Sequence, residues 1–281
     1  MPRRKIIYSG LGILFIFSLI LSWRIFYYSE GLKVYFLNVG QGDAILISQG
    51  NQQVLIDGGP SEQVLMEKLG QFIPFWDRKI EMLIATHPDK DHIAGLMAVM
   101  KNYQVGAIIN SRVPPESEIS QEFEKIISQE KITEMTGEPG WKINWRSGAS
   151  LKILEAKIAK DTNQGSIVTR LDFGENSFLF TGDITETEEK ELISKISDAL
   201  PADFLKIAHH GSKYATSIEF LNSVQPKEVI ISVAQNNRYG HPTEEVLSRL
   251  KEKGITLLRT DQDGDIIYAC PGIKKDCFRE K

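Results

Sequence analysis

From Gly31 onward, short runs rich in Val, Ile and Leu alternate with stretches whose apolar residues recur every three to four positions. The runs predict strands over 33–39, 43–48, 52–57, 79–86, 105–110, 166–173, 176–182, 203–208, 227–233 and 265–270. The helical spacing predicts helices over 61–72, 92–103, 116–130, 189–200 and 244–254. Such alternation points to an α/β architecture with helices covering the sheet faces. After residue 32 there is no internal repeat, low-complexity stretch or linker. Segment 111–147, with Pro114, Pro115, Gly137, Gly140 and two tryptophans, is the least regular and is expected to be a surface excursion.

Composition narrows the class. The 281 residues are 42% hydrophobic and 25% charged, which excludes a disordered tail, a collagen-like repeat and a coiled-coil rod. Residues 1–30 hold four cations and one anion, leaving 29 cations against 36 anions and a net charge of −7 in the remainder. A body that acidic is not a general nucleic-acid coat. Two cysteines exclude a disulfide scaffold.

Ile6 to Trp23 carries eighteen residues without a charge, after Arg3, Arg4 and Lys5 and before Arg24. We read residues 1–5 as a short basic cytoplasmic segment, 6–28 as a transmembrane signal anchor and 29–281 as one domain outside the cytoplasm. Trp23, Tyr27 and Tyr28 suit the far interface. A cleaved signal peptide is the alternative, but RIFYYSEG supplies no small-x-small cleavage site.

The densest chemistry is THPDKDHIAG, residues 86–95, between an apolar strand and a helix. On an extended turn, positions i and i+2 point the same way, so His87 and Asp89 can share one cation. Asp91 and His92 open the helix toward a neighbouring second cation. Mixed nitrogen and oxygen donors suit Zn²⁺ or Mn²⁺. The bland alternative is a polar turn with Asp as helix cap. All five histidines, His87, His92, His209, His210 and His241, lie just beyond predicted strands, and Asp183 ends NSFLFTGD in the same way. In α/β sheets, sites gather outside strand ends.

THPDKDHIAG resembles the HxHxDH signature of the metallo-β-lactamase superfamily, and specifically its ComEC-type branch, the hydrolase domain attached to the DNA-uptake channel of competent bacteria. The resemblance extends over about residues 33–270 through FLNVGQGDAILI, VLIDGG, SIVTRLDFGENSFLFTGD, ADFLKIAHHGS and NRYGHPTEEVL. It implies a four-layer αββα sandwich holding one or two metals at the sheet rim. It also implies that His87 and Asp89 ligate the first metal and Asp91 and His92 the second. Asp183 would bridge them and His241 would be a late ligand. His209 and His210 match the HHGS block that lines the pocket, either one ligating or donating a proton. Asp57 would support the ligands from behind.

Three positions depart from the pattern. Asp89 stands where the broad superfamily has His, no His lies between residues 92 and 183, and Asn38 replaces a frequent Asp. The expectation is therefore either a weakly held first metal or a site with one firm metal.

The implied mechanism is hydrolysis by water that a divalent metal acidifies to a pKa of about 7. Asp91 would orient the nucleophile, and His209 or His210 would protonate the leaving oxygen. The expected function is a membrane-anchored nuclease or phosphodiesterase acting on DNA, single-stranded, or on another phosphodiester. One anchor and no channel imply a separately encoded channel partner for any role in uptake. The alternatives are a lactonase- or β-lactamase-like activity on a small molecule, or a non-catalytic binding module of the same fold. A strip formed by Lys206, Lys213 and Arg238 would offset the acidic body toward DNA. Cys270 and Cys277 flank a short turn. A bridge between them is permitted outside the cytoplasm, but the cationic terminus favours a buried Cys270 and a free Cys277 in a frayed tail.

Overall fold

Alternate residues of the first strand serve different cores. In β1 (Leu32–Phe36), Val34 and Phe36 pack toward a second sheet, whereas Tyr35 and the following Leu37 pack against helices. This is the period of two expected of a strand covered on both faces. The structure, a computed structural model, describes the backbone over residues 2–28 and 31–280 and the side chains over 8–22 and 31–280.

The first sheet continues with β2 (Ile45–Gln49), β3 (Gln52–Ile56), β4 (Lys79–Ala85), β5 (Gln104–Asn110) and β6 (Thr133–Thr136). The chain then builds a second sheet from β7 (Lys142–Asn144), β8 (Ser150–Glu155), β9 (Val168–Phe173), β10 (Asn176–Phe180), β11 (Phe204–Lys206), β12 (Glu228–Ile231) and β13 (Thr256–Arg259). It returns to the first sheet with β14 (Ile266–Cys270) and β15 (Phe278–Arg279). The strand orders are β15-β14-β1-β2-β3-β4-β5-β6 and β13-β12-β11-β10-β9-β8-β7.

Helix α1 (Pro2–Tyr28) precedes the sheets. Helices α2 (Glu62–Phe72), α3 (Lys90–Asn102) and α4 (Glu118–Gln129) lay Leu65, Ile93, Leu96, Phe123 and Ile127 on the first sheet. Helices α5 (Glu186–Ile196), α6 (Ile218–Val224) and α7 (Glu244–Glu252) lay Leu192, Phe220, Val246 and Leu250 on the second. The result is the expected four-layer αββα sandwich. Between the sheets, Phe36, Phe178, Phe180, Phe204 and Tyr268 form an aromatic core, with the Phe178 and Phe204 rings 4.5 Å apart. Removing one such ring costs about 3–5 kcal/mol.

Each sheet is antiparallel on one side and parallel on the other. β3, β4, β5 and β6 run parallel in the first, and β10, β11, β12 and β13 in the second. The carboxyl ends of β3, β4, β10, β11 and β12 converge on one rim, and the candidate site lies there.

Two expectations change. Segment 111–147 is not a surface excursion: it carries α4 and the edge strands β6 and β7, buries Trp145 and packs Trp141 against the core. Cys270 and Cys277 are bridged, with Cα atoms 4.1 Å apart. The reason is register: β15 pairs Tyr268 with Arg279 and Ala269 with Phe278, which brings Cys277 opposite Cys270. The carboxamide of Asn176 further holds this turn, accepting from Cys277 N at 2.8 Å and donating to Lys275 O at 3.0 Å.

The anchor expected over residues 6–28 falls on α1. Apolar side chains described in α1, such as Leu14, Phe15 and Ile16, are exposed. Among the described residues, however, no helix is long and apolar enough to cross a membrane. The side chains of 1–7 and 23–30, where the basic segment and both flanks of the anchor fall, lie outside the described residues.

Candidate metal centre

Two glycines bring the segments of the rim together. A Cβ on Gly95 would lie 2.0 Å from Gly58 O, and only that close approach lets α3 dock on the turn after β3. Gly58 N donates to His92 O and Gly95 N to Gly59 O, locking the two. Gly42, at φ +136, would place a Cβ 2.1 Å from Asp91 O, so the 40–43 turn also needs glycine against this helix.

Strand β4 delivers Thr86 and His87 to the rim, and α3 opens at once with Asp91 and His92. Asp57, left-handed at φ 58, turns its carboxylate inward after β3. It accepts from Thr86 N at 2.8 Å, from Thr86 Oγ1 at 2.7 Å and from His92 Nδ1 at 2.8 Å. The second sheet contributes Asp183 just after β10, and His209 and His210 after β11. These two histidines are also left-handed, at φ 51 and 55. Consecutive non-glycine residues in that region carry strain, and such strain clusters at functional sites.

Three buried imidazoles converge on Asp183. His210 Nε2 lies 3.3 Å and His92 Nε2 3.4 Å from its Oδ2, with His87 Nε2 at 3.9 Å. Asp91 Oδ2 stands 3.5 Å from His210 Nε2. In each ring, Nδ1 is already engaged: His92 donates to Asp57, His210 to Ser232 O at 2.9 Å, and His87 lies 3.0 Å from Thr86 Oγ1. Every Nε2 is buried without a hydrogen bond, as is Asp183 Oδ1. Imidazoles oriented through Nδ1 with Nε2 directed at a shared carboxylate are a donor set for a divalent cation, and the residues present fit one.

Electrostatics points the same way. Burial opposes charge on His92, but Asp183 and Asp57 outweigh it and hold its pKa well above the usual imidazole value. His210, equally buried, is pushed up to about 9 by Asp183, Asp91 and Asp43. His87 is driven well down by burial and by the neighbouring His92. Burial works against the Asp183 charge too, yet His210 and His92 keep its carboxyl far below the ordinary range. The cluster is therefore arranged to hold positive charge.

The sequence-predicted residues separate in space. His87, Asp91, His92, Asp183 and His210 fall into groups whose ligand atoms lie within 4.8 Å of one another, and Asp43 and Asp57 extend them. Asp89 is 3.7 Å from His87 Nε2, with its side chain 40% exposed, and accepts from Thr162 Oγ1 at 3.1 Å. His241 is brought into none of these groups among the described residues. Asn237 ties down its loop, accepting from His241 N at 3.0 Å, and the ring faces His209 and Tyr239, centroids 5.7 and 5.8 Å away. His210 stands in the cluster instead, while His209 pairs with His241. Burial lowers the pKa of both, that of His241 to about 4.

The Lys206 side chain is 0% exposed, in a short ion pair with Asp43 and 3.9 Å from Asp183 Oδ1. It is an internal cation beneath the cluster, not part of a surface strip. Asp43 is visible in the sequence only as part of a motif, and its pairing with Lys206 crosses from one sheet to the other. Asn38 Oδ1 merely accepts from Gly40 N in a turn.

Residues 37–235 match the sequence profile of the Metallo-beta-lactamase superfamily. The chain is 34% identical over 267 residues to ComE operon protein 3 of Bacillus subtilis, covering 85% of this chain and 33% of that protein. It is 29% identical over 233 residues to competence protein ComA of Neisseria gonorrhoeae, covering 82% and 31%. The chain thus spans about a third of the length of these curated relatives. The solved metallo-beta-lactamase fold protein YhfI of Bacillus subtilis shares the fold, with a TM-score of 0.56 at 15% identity over 82% of this chain and 95% of that one. The profile spans most of the sandwich and contains the cluster built from β4, α3, β10 and β11, and the chain belongs to the metallo-β-lactamase superfamily.

Proposed function

We propose that this chain is a metal-dependent phosphodiesterase that cleaves DNA on the outer side of a membrane to which residues 6–28 attach it. The observation carrying the hydrolase reading is the convergence of three Nδ1-anchored imidazoles on Asp183. His87, His92, His210, Asp91 and Asp183 would hold one or two divalent ions, zinc or manganese, with Asp89 on the margin. When bound, the metal polarises a phosphoryl oxygen and acidifies water.

The protein's own groups supply the rest. Burial opposes the Asp91 charge, but His210, 3.5 Å away, and His92 hold its carboxyl below the ordinary range, and it can orient a water. His209 and His241 are kept neutral by burial at the edge of the cluster, so each can relay a proton to the leaving oxygen only while its other ring nitrogen takes one up from water. Lys90 and Arg238 line the same cavity as Asp91 and bring positive charge to its mouth. Relatives named for competence support DNA as the substrate. The Cys270–Cys277 bridge supports an oxidising compartment. A DNA-uptake channel as partner belongs to the same reading.

The test incubates the full chain with labelled single- and double-stranded DNA and a lactam, with Mn²⁺, Zn²⁺ or Mg²⁺. DNA cleavage that needs the metal and disappears in Asp183→Asn is the expected result. Cleavage of the lactam alone would replace the DNA reading with a small-molecule one.

A further inference from the structure

Beside the cluster lies a cavity of about 400 Å³, within the range that ligand sites occupy. Asp91, Lys90, Pro60, Arg238 and Tyr239 are among the residues that line it. Tyr239 is 52% exposed and is held by two neighbours. Its backbone N donates to Asn237 Oδ1 at 3.2 Å, and its ring stacks on His241 at 5.8 Å and 26°. The Arg238 guanidinium lies 5.0 Å over the ring and donates to the Tyr239 hydroxyl at 2.8 Å. Among the described residues, no carboxylate lies within 4 Å of the charged groups of Arg238 or Lys90.

An aromatic ring held by its neighbours next to two cations and the Asp91 carboxylate has a specific chemical complement. Phosphates answer the cations, and the apolar face of a planar ring answers the tyrosine. An unpaired nucleobase joined to its phosphate offers both, whereas a base inside a duplex has both faces covered by its neighbours. A single nucleotide suits the size of the cavity. Arg238, whose guanidinium has no carboxylate partner among the described residues, can move to a phosphate while the base takes its place on Tyr239.

We propose that Tyr239 is a stacking platform for an unpaired nucleobase next to the scissile phosphodiester, with Arg238 and Lys90 engaging the flanking phosphates. The substrate class is single-stranded nucleic acid. This inference takes its substrate from the phosphodiesterase reading, but it can be tested by binding alone.

The experiment measures fluorescence anisotropy of the full chain in EDTA, where no cleavage occurs. The probes are a labelled oligothymidylate, an abasic sugar-phosphate strand of equal length and a duplex. The wild-type chain should prefer the oligothymidylate over the abasic strand by about 10-fold or more. Tyr239→Ala should bind the two alike, and Tyr239→Phe should keep the preference. Arg238→Ala should weaken both strands equally and lower the salt slope by about one.

Equal binding of the two strands by the wild-type chain, a preference that survives Tyr239→Ala, or tighter binding of the duplex would each overturn the platform. A cleavage assay with Mn²⁺ separates the two ideas. Base preference without cleavage removes the phosphodiesterase reading and leaves the platform. Cleavage without base preference does the reverse.

Discussion

Two sides of the site can be told apart by their donors: His87 with Asp89 3.7 Å away, and His92 with Asp91 and His210. On the second side every imidazole is fixed from behind, His92 by Asp57 and His210 by the Ser232 carbonyl, and both rings are buried. On the first side His87 is equally buried, but its carboxylate neighbour is half in solvent and held by one threonine hydroxyl. No histidine between residues 92 and 183 exists to complete that side. Ligand affinity depends as much on the groups that fix a donor as on the donor itself. The two sides should therefore hold metal with unequal strength, the His92–His210 side more firmly.

The largest effect is expected where the sides meet. Asp183→Asn should remove hydrolysis down to background and lower the metal content of purified protein, measured by elemental analysis, on both sides at once. A variant that retains both metal and activity would dissolve the idea of a shared carboxylate. Next, His210→Ala should remove the tightly held metal, whereas His241→Ala should leave metal content unchanged and slow only turnover. If His241→Ala strips the metal instead, the late histidine is a ligand after all and the observed placement is incomplete.

Asp57→Asn keeps the shape but weakens the support behind His92, and should cost about 10–100-fold in metal affinity or activity. Asp89→Asn should cost less, about 10-fold at limiting metal, and recover when metal is added in excess. Calorimetric titration of the two variants side by side decides the asymmetry: equal losses would mean equal sides. The smallest effect on chemistry belongs to the opposite end of the sandwich. Closing so short a loop contributes about 2–3 kcal/mol in the chain-entropy picture. Reducing Cys270–Cys277 should therefore lower Tm by about 5–10 °C, with kcat unchanged in the folded protein.

Much of the frame is legible from the residues because fully covered strands are apolar throughout. KIEMLIAT and NSFLFTG announce β4 and β10 without any contact information. The edges are not. β6 reads TEMT and β7 reads KIN, and their strand state comes from neighbours such as Ala107 opposite Thr133, not from their own pattern. β13 and α6 are short and escape the pattern for the same reason.

In the site, the adjacent His87, Asp91 and His92, and Asp183 at a strand end, stand out in the amino-acid sequence by themselves. The choice between His210 and His241 does not, because it rests on the left-handed turn at 209–210 that swings one ring inward. Lys206 reads as surface charge along the linear chain. Only its place in β11 and the Asp43 carboxylate from the other sheet make it internal. The disulfide likewise depends on the register of a two-residue strand.

The donors of the cluster are split between the sheets: His87, Asp91 and His92 follow strands of the first, and Asp183 and His210 follow strands of the second. Neither half of the polypeptide can assemble the constellation alone. Contacts between such distant positions form late in folding, so chemistry is withheld until the two layers have closed on one another. An ion bound across the seam then acts as a rivet. It stabilises the closed sandwich in proportion to the logarithm of its concentration over its dissociation constant, and competence for catalysis becomes a report that the chain has finished folding.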